Sequence, residues 1–156
     1  MLMKDKYFFL SNFYPTPIHI EINGQDLLFE NSEAAFQAQK NFDLAPHFTL
    51  LKGLEAKRLG QGIQITTPNW NTYRLTAMAK VLHAKFSDPV LFNMLKKVDE
   101  EIVEDNYWGD TFWGVCKGKG NNMLGKMLTN IKENDNDFDK LMLYVTTVLE
   151  LENCIN

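Results

Sequence analysis

Asn23-Gly24 sets the first constraint on how this chain folds. Both central positions of a type I′ turn need positive φ, so the pair is the strongest short hairpin signal in the sequence. Ahead of it, Ile18, Ile20 and Ile22 alternate with polar residues, the period-two pattern of a half-buried strand. Leu27 to Phe29 supplies the returning strand and delivers the chain to Asn31-Ser32-Glu33-Ala34-Ala35-Phe36-Gln37-Ala38-Gln39-Lys40. A polar start followed by alanines and long side chains opens a helix, expected over Ser32 to Phe42. On it Glu33, Gln37 and Lys40 fall at i, i+4 and i+7, so an acid, an amide and an amine share one face.

The rest of the chain reads mostly helical. Before the hairpin, Phe8-Phe9-Leu10 is expected to be a short strand closed by Ser11-Asn12. A second helix is expected from Thr49 to Leu59 with Gly60 as its C-terminal cap, then a loop over Gly62 to Pro68. Trp70, Tyr73, Ala77, Val81 and Ala84 form one stripe of a third helix, and Leu75, Met78, Leu82 and Phe86 another. Apolar on two stripes, it should be central. Asp88-Pro89 starts a fourth helix whose Leu91, Met94, Leu95, Val98 and Ile102 should face the core. Asn121 or Asn122 should cap a fifth, with Leu124, Leu128 and Ile131, while Glu133 to Asp139 reads as a loop before a last helix over Leu141 to Leu151. Neither a repeat nor a linker divides residues 1–156, so one domain is expected.

Apolar residues make up 45% and charged residues 23%, the balance of a folded domain rather than a disordered one. The net charge of −4 argues against a broad grip on nucleic acid, which rests on many Lys and Arg contacts to phosphate, but allows a site that takes one exposed nucleotide. Met1 to Tyr7 lacks the apolar run of a leader, and no stretch is long enough to span a bilayer, so a cytoplasmic protein without membrane contact is expected. Cys116 and Cys154 make neither a disulfide framework nor a zinc site, and His19, His47 and His83 share no ligand spacing with them. No metal and no cofactor is expected. Cys116 reads as a loop or core thiol.

Several residues carry possible chemistry. Glu33 lies in the first turn of its helix, where a carboxylate either complements the dipole or serves as an acid–base group. Lys40 is a surface lysine, a phosphate ligand or, if buried beside Phe36, an amine nucleophile; Lys85 on the central helix has a similar claim. In Trp108-Gly109-Asp110-Thr111-Phe112-Trp113-Gly114 the carboxylate either caps a turn or works in a site, and the tryptophans either anchor the loop or stack on a ring. Gly118-Lys119-Gly120-Asn121-Asn122-Met123-Leu124-Gly125-Lys126 has the look of a glycine-rich loop entering a helix N-terminus, suited to an anion, yet it matches neither a P-loop nor a dinucleotide fingerprint.

Together these segments resemble the NADAR (NAD- and ADP-ribose-associated) family, also described as YbiA-like. The resemblance rests on Phe9-Leu10-Ser11-Asn12-Phe13, Asn31 to Lys40, Ala56-Lys57-Arg58-Leu59-Gly60, Ala84-Lys85-Phe86 and Asp110 through Gly125, and extends from about Phe8 to Ile131. One departure is Tyr73-Arg74 after Trp70-Asn71-Thr72, in place of a lysine-rich turn. The resemblance implies an α+β fold, a mainly helical single domain with a small N-terminal β-hairpin. It also implies hydrolysis of N-glycosidic bonds, either in ADP-ribosylated guanine of nucleic acid or in ribosylamino-pyrimidine phosphates of riboflavin synthesis.

On that basis Glu33 is expected as general acid/base, Lys40 as the amine of a Schiff-base intermediate with Lys85 second, and Asp110 as the group that orients or stabilises the cationic ribose. Trp113 is expected to stack on a ring, with Ser11, Asn12 and Phe13 lining the opposite side. Gln37, Lys85, Trp108 and Gly114 complete the expected substrate contacts, and Gly118, Asn122 and Gly125 are expected to hold phosphate. The favoured substrate is ADP-ribosyl-guanine, with only local contact to the nucleic acid that carries it. A riboflavin-type substrate, or a non-catalytic ADP-ribose or NAD-binding module that would not need Glu33, are the alternatives.

Overall fold

A computed structural model describes the backbone of residues 1–155; the side chain of Cys154 lies outside the described residues. The hairpin forms as its pattern predicts. β1 (Pro15–Ile22) pairs antiparallel with β2 (Gln25–Asn31), placing Ile18 opposite Phe29 and Ile20 opposite Leu27. Asn23 and Gly24 turn the chain at φ 49° and 82°. Ile18, Ile20, Ile22 and Phe29 fill one buried face.

Asn31 closes the hairpin and caps α1 (Ser32–Gln37): its Oδ1 accepts from the Ala34 N–H at 2.8 Å, and its Nδ2 donates to the Leu51 carbonyl at 2.9 Å. Every residue of α1 is buried. The helix is shorter than the Ser32–Phe42 expected. At Ala38–Lys40 it tightens into a 3₁₀ turn, because the next carbonyls are taken by distant groups. The Gln39 carbonyl accepts from the Thr67 hydroxyl, and the Lys40 carbonyl from the Thr66 and Thr67 N–H groups. Asn41 then caps a second 3₁₀ segment, Phe42–Phe48.

α2 (Gly53–Gly62) begins and ends later than the expected Thr49–Leu59, and Gly60 is inside it rather than at its cap. Its role is spatial. A Cβ on Gly60 would come within 2.0 Å of Gln37 Oε1, so only glycine lets α1 and α2 approach this closely. α3 (Trp70–Lys85) is the central helix that its two stripes predicted; it packs on β1, α1, α5 and α6. Asp88 caps α4 (Pro89–Lys96) through Oδ1 to the Val90 N–H at 2.8 Å. Of the residues expected to face the core from this helix, Met94 is instead exposed, and Val98 and Ile102 are buried beyond its end.

Phe8-Phe9-Leu10 is not a strand but the end of a 3₁₀ helix, Asp5–Leu10. It buries two consecutive side chains, Phe9 and Leu10, which an alternating strand cannot do against a single core. A short parallel pairing joins β3 (Asp105–Asn106) to β4 (Val115–Cys116), where Cys116 is a half-buried free thiol. α5 (Met123–Glu133) follows. α6 (Phe138–Ile155) starts three residues before the expected Leu141, because Asp137 Oδ1 accepts from the Lys140 N–H and holds the first turn. Among the described residues no helix is long and apolar enough to cross a membrane.

Gly60→Ala is expected to lower stability by about 1–3 kcal/mol, an overpacking cost, as Gln37 is forced off Glu33. Thermal unfolding followed by circular dichroism measures it; a melting temperature equal to wild type would contradict this account of the α1–α2 contact.

Candidate active site

One cleft of about 280 Å³ gathers residues from across the chain. Ser11, Asn12 and Phe13 form one wall; Glu33, Phe36, Gln37 and Lys40 come from α1 and the turn after it; Lys57 and Gln61 come from α2; Trp70, Arg74 and Met78 come from α3. Glu104, Trp108, Asp110 and Trp113 close it from the segment that precedes α5.

Glu33 is held at both ends. Its N–H donates to the Asn12 carbonyl at 2.9 Å, and its Oε1 accepts from Gln37 Nε2 at 2.8 Å. Burial pushes its carboxyl above the usual range, while the Gln37 amide and the Lys57 and Lys40 charges pull the other way. Lys40 is half-buried; its Nζ donates to the Gly60 carbonyl at 3.3 Å, and burial lowers the ammonium below its ordinary value against the pull of Glu33. An acid that resists ionising and an amine that resists protonation thus line one cleft.

Asp110 both caps a turn and faces the cleft. Its Oδ1 accepts from the Phe112 and Trp113 N–H groups at 3.0 and 2.9 Å, and Asn106 clasps its backbone from both sides. Trp113 stands edge-on to Phe36, with ring centres 5.5 Å apart, and Phe36 leans on Trp70 at 5.5 Å. These rings make an apolar wall beside the charged groups. Trp108 is half exposed at the mouth, with Lys57 Nζ 4.9 Å above its ring.

Three charged residues of the cleft were not singled out from sequence: Lys57, Arg74 and Glu104. The Arg74 guanidinium lies 3.6 Å over the Phe112 ring, and burial lowers its pKa while Glu152 and Asp110 hold it up. Glu104 sits where the acidic stretch from Asp99 to Asp105 turns inward after buried Ile102. Its carboxyl is pushed up to about 8, first by burial and then by the Asp110 and Glu33 charges, with Lys57 opposing. The apolar doublet Ile102-Val103 just before it was the available signal that this glutamate points inward.

A model of the NADAR domain matches residues 2–134. The chain belongs to the NADAR family. It is also similar to the E. coli protein YbiA, whose structure was determined by NMR: 29% identity over 86% of this chain and 81% of that one, with a TM-score of 0.71. No curated relative matches the chain. The NADAR family is associated with N-glycosidase activity.

Five residues expected at the NADAR site lie elsewhere. Gly118, Asn122 and Gly125 do not reach the cleft, because the amides at the start of α5 are already occupied. The N–H groups of Asn121, Asn122, Met123 and Leu124 donate to the carbonyls of Thr111, Gly114, Phe112 and Trp113, so no anion finds them free. Asn122 takes a left-handed φ of 50° without a capping side-chain bond, and its side chain instead braces Ile102 and Glu104. Gly125 and Gly114 serve close packing: a Cβ would meet the Ile102 carbonyl at 2.2 Å and the Glu104 carbonyl at 2.4 Å, respectively.

Lys85 is also outside the cleft lining. It is 1% exposed, and its Nζ donates to the Ser11 carbonyl at 2.9 Å, fixing the wall residues from behind. Among the described residues no group of three His, Cys, Asp or Glu side chains is placed to hold a metal.

Because the folded pKa of Glu104 stands above its unfolded value, its contribution to stability is complete below the ordinary carboxyl range and is lost as pH rises through about 8. Glu104→Gln removes that loss. Relative to wild type, its melting temperature should therefore rise between pH 5 and pH 9, by at least about 3 °C. Calorimetric scans at the two pH values test this, and a difference independent of pH would refute the buried neutral carboxyl.

Proposed function

We propose that the protein is an N-glycosidase that hydrolyses the C1′–N bond of a ribosyl substrate, removing ADP-ribose from ADP-ribosylated guanine in nucleic acid and acting in the cytoplasm. The carrying observation is the shared cleft of Glu33, Lys40 and Asp110 against an aromatic wall. Breaking C1′–N requires a proton for the leaving base and stabilisation of an electron-poor ribose carbon. Glu33 is the acid–base group beside it, Lys40 the amine that attacks C1′, and Asp110 the charge that favours the cationic sugar. Ser11, Asn12 and Phe13 bound the substrate on one side, Trp113 on the other, with Trp108 at the mouth and Gln37 holding Glu33 in place. Lys40, Lys57 and Arg74 line the cleft of a chain whose net charge is −4, which suits the phosphates of such a substrate.

The modest cleft volume favours a second reading of the substrate, a ribosylamino-pyrimidine phosphate, which carries one base and one phosphate where ADP-ribosyl-guanine carries two of each. A non-catalytic ADP-ribose or NAD-binding module would use the same wall without needing Glu33.

Release of ADP-ribose from an ADP-ribosylated guanine oligonucleotide, compared between wild type and Glu33→Gln, decides among these. The reading requires a loss of about 10²-fold or more in the variant, with substrate affinity kept. Release by neither protein, with release from the pyrimidine substrate by wild type, would move the assignment to the second reading; silence on both would leave the binding module. The amine has a test of its own. Borohydride added during turnover should trap a covalent sugar adduct on wild type, detected as a mass increase, and none on Lys40→Arg; an adduct on both would remove Lys40 from the role.

A further inference from the structure

We infer that Glu104 is the proton donor to the departing base, which divides the acid–base work of the cleft between two carboxyls and leaves Glu33 as the base. This rests on the N-glycosidase reading above. Glu104 is fixed through its backbone: its N–H donates to Asn122 Oδ1 at 3.0 Å, and its carbonyl accepts from the Val115 N–H at 2.8 Å. Its carboxyl lines the cleft, yet Oε2 is sealed from solvent with no hydrogen-bond partner. That oxygen lies where a Cβ on Gly114 would come within 2.8 Å, so a larger residue at 114 would displace it.

An ionised carboxylate with a sealed, unpartnered oxygen loses hydration that nothing in the protein returns; the neutral acid does not suffer this loss. The charges facing Glu104 act the same way, since Asp110 and Glu33 oppose its ionisation and Lys57 alone favours it. Burial raises Glu33 as well, but groups around it pull back toward the ionised form. It accepts a hydrogen bond from Gln37 and feels both Lys57 and Lys40. Two carboxyls with contrasting surroundings in one cleft separate into an acid and a base.

In the first step the Lys40 Nζ lone pair bonds to C1′ and the C1′–N electrons pass to the base nitrogen, which takes the Glu104 proton. Glu33 removes a proton from the alkylated amine and returns it to the ring oxygen as C1′–O4′ opens to the iminium. Water adds at C1′, the sugar leaves, and the ammonium restored on Lys40 gives its extra proton to Glu104. The sum is one C1′–N bond hydrolysed by one water.

The test is the pH profile of turnover on ADP-ribosylated guanine oligonucleotide, or on the pyrimidine substrate if that is the one cleaved, for wild type, Glu104→Gln and Glu104→Asp. Wild-type kcat should fall above a limb near pH 8. Glu104→Gln should lose about 10²–10⁴-fold in kcat with KM within about threefold, and without that limb. Glu104→Asp, which keeps a carboxyl, should recover part of the rate and a basic limb. A wild-type profile flat from pH 6 to 10 overturns the inference, as does a Glu104→Gln loss confined to KM or smaller than about tenfold. Should Glu104→Gln fail to fold, the wild-type and Glu104→Asp profiles decide alone. If wild type cleaves neither substrate, the N-glycosidase reading itself fails and this assignment fails with it; an active wild type with an indifferent Glu104→Gln removes Glu104 only.

Discussion

The arrangement depends on the burial of α1. A helix of six residues has almost no stability of its own, because nucleation consumes more than so few hydrogen bonds return. It persists here because all its neighbours hold it: Asn31 caps it and ties it to Leu51, the Glu33 N–H is bound by the Asn12 carbonyl, and Gln39 just beyond it bonds to the Ala35 and Ala77 carbonyls. The cost is that its polar side chains are buried too, and Ser32 Oγ and Gln37 Oε1 are left without partners. Glu33 acquires its altered proton affinity from this burial, and Lys40, half-buried in the turn that follows, from its own desolvation.

The opposite wall is built by a different device. Residues 111–114 lay their carbonyls over the first amides of α5, so the loop that carries Asp110 and Trp113 is clamped to a helix end rather than free to move. Asn122 extends the clamp to Glu104. Three carboxyls that disfavour one another's ionisation, Glu33, Asp110 and Glu104, are thereby kept around one cavity, with Lys57 and Lys40 as their counterweights. Such a standoff is sustained only by a backbone that cannot relax away from it.

Local pattern carried the sequence reading as far as local physics reaches. The Ile18-Ile20-Ile22 alternation, Asn23-Gly24 and Asp88-Pro89 each encode their geometry within a few residues, and the structure has the hairpin and the α4 cap where they put them. The mainly helical α+β fold followed from the same pattern together with the family resemblance. Around the cleft the errors come from contacts distant in sequence. α1 ends early because Thr66 and Thr67, nearly thirty residues on, take the carbonyls of Gln39 and Lys40 that would continue it. Gly60 is a contact glycine rather than a cap because Gln37 lies against it. The glycine-rich run before α5 has the composition of an anion site but spends its amides on backbone carbonyls that no local window could reveal. Glu104 was hidden among neighbouring acids that stay at the surface.

Lys85 and Glu104 complete the argument from opposite sides. Lys85 is sealed in the core and Glu104 lines the cleft with one carboxyl oxygen sealed, and burial drives both toward their neutral forms: Lys85 is brought down to about 7 and Glu104 up to about 8. The signs of their linkage are opposed. For Glu104 stability falls as pH rises from the ordinary carboxyl range through about 8; for Lys85 it falls as pH drops from the ordinary lysine range through about 7. Their penalties therefore overlap around neutrality, where the fold draws least support from the two together. A protein selected for stability alone would replace both with apolar groups. The lysine that fastens the Ser11 carbonyl and the acid sealed against Gly114 are better explained by the cleft between them, whose wall the first positions and whose chemistry the second supplies.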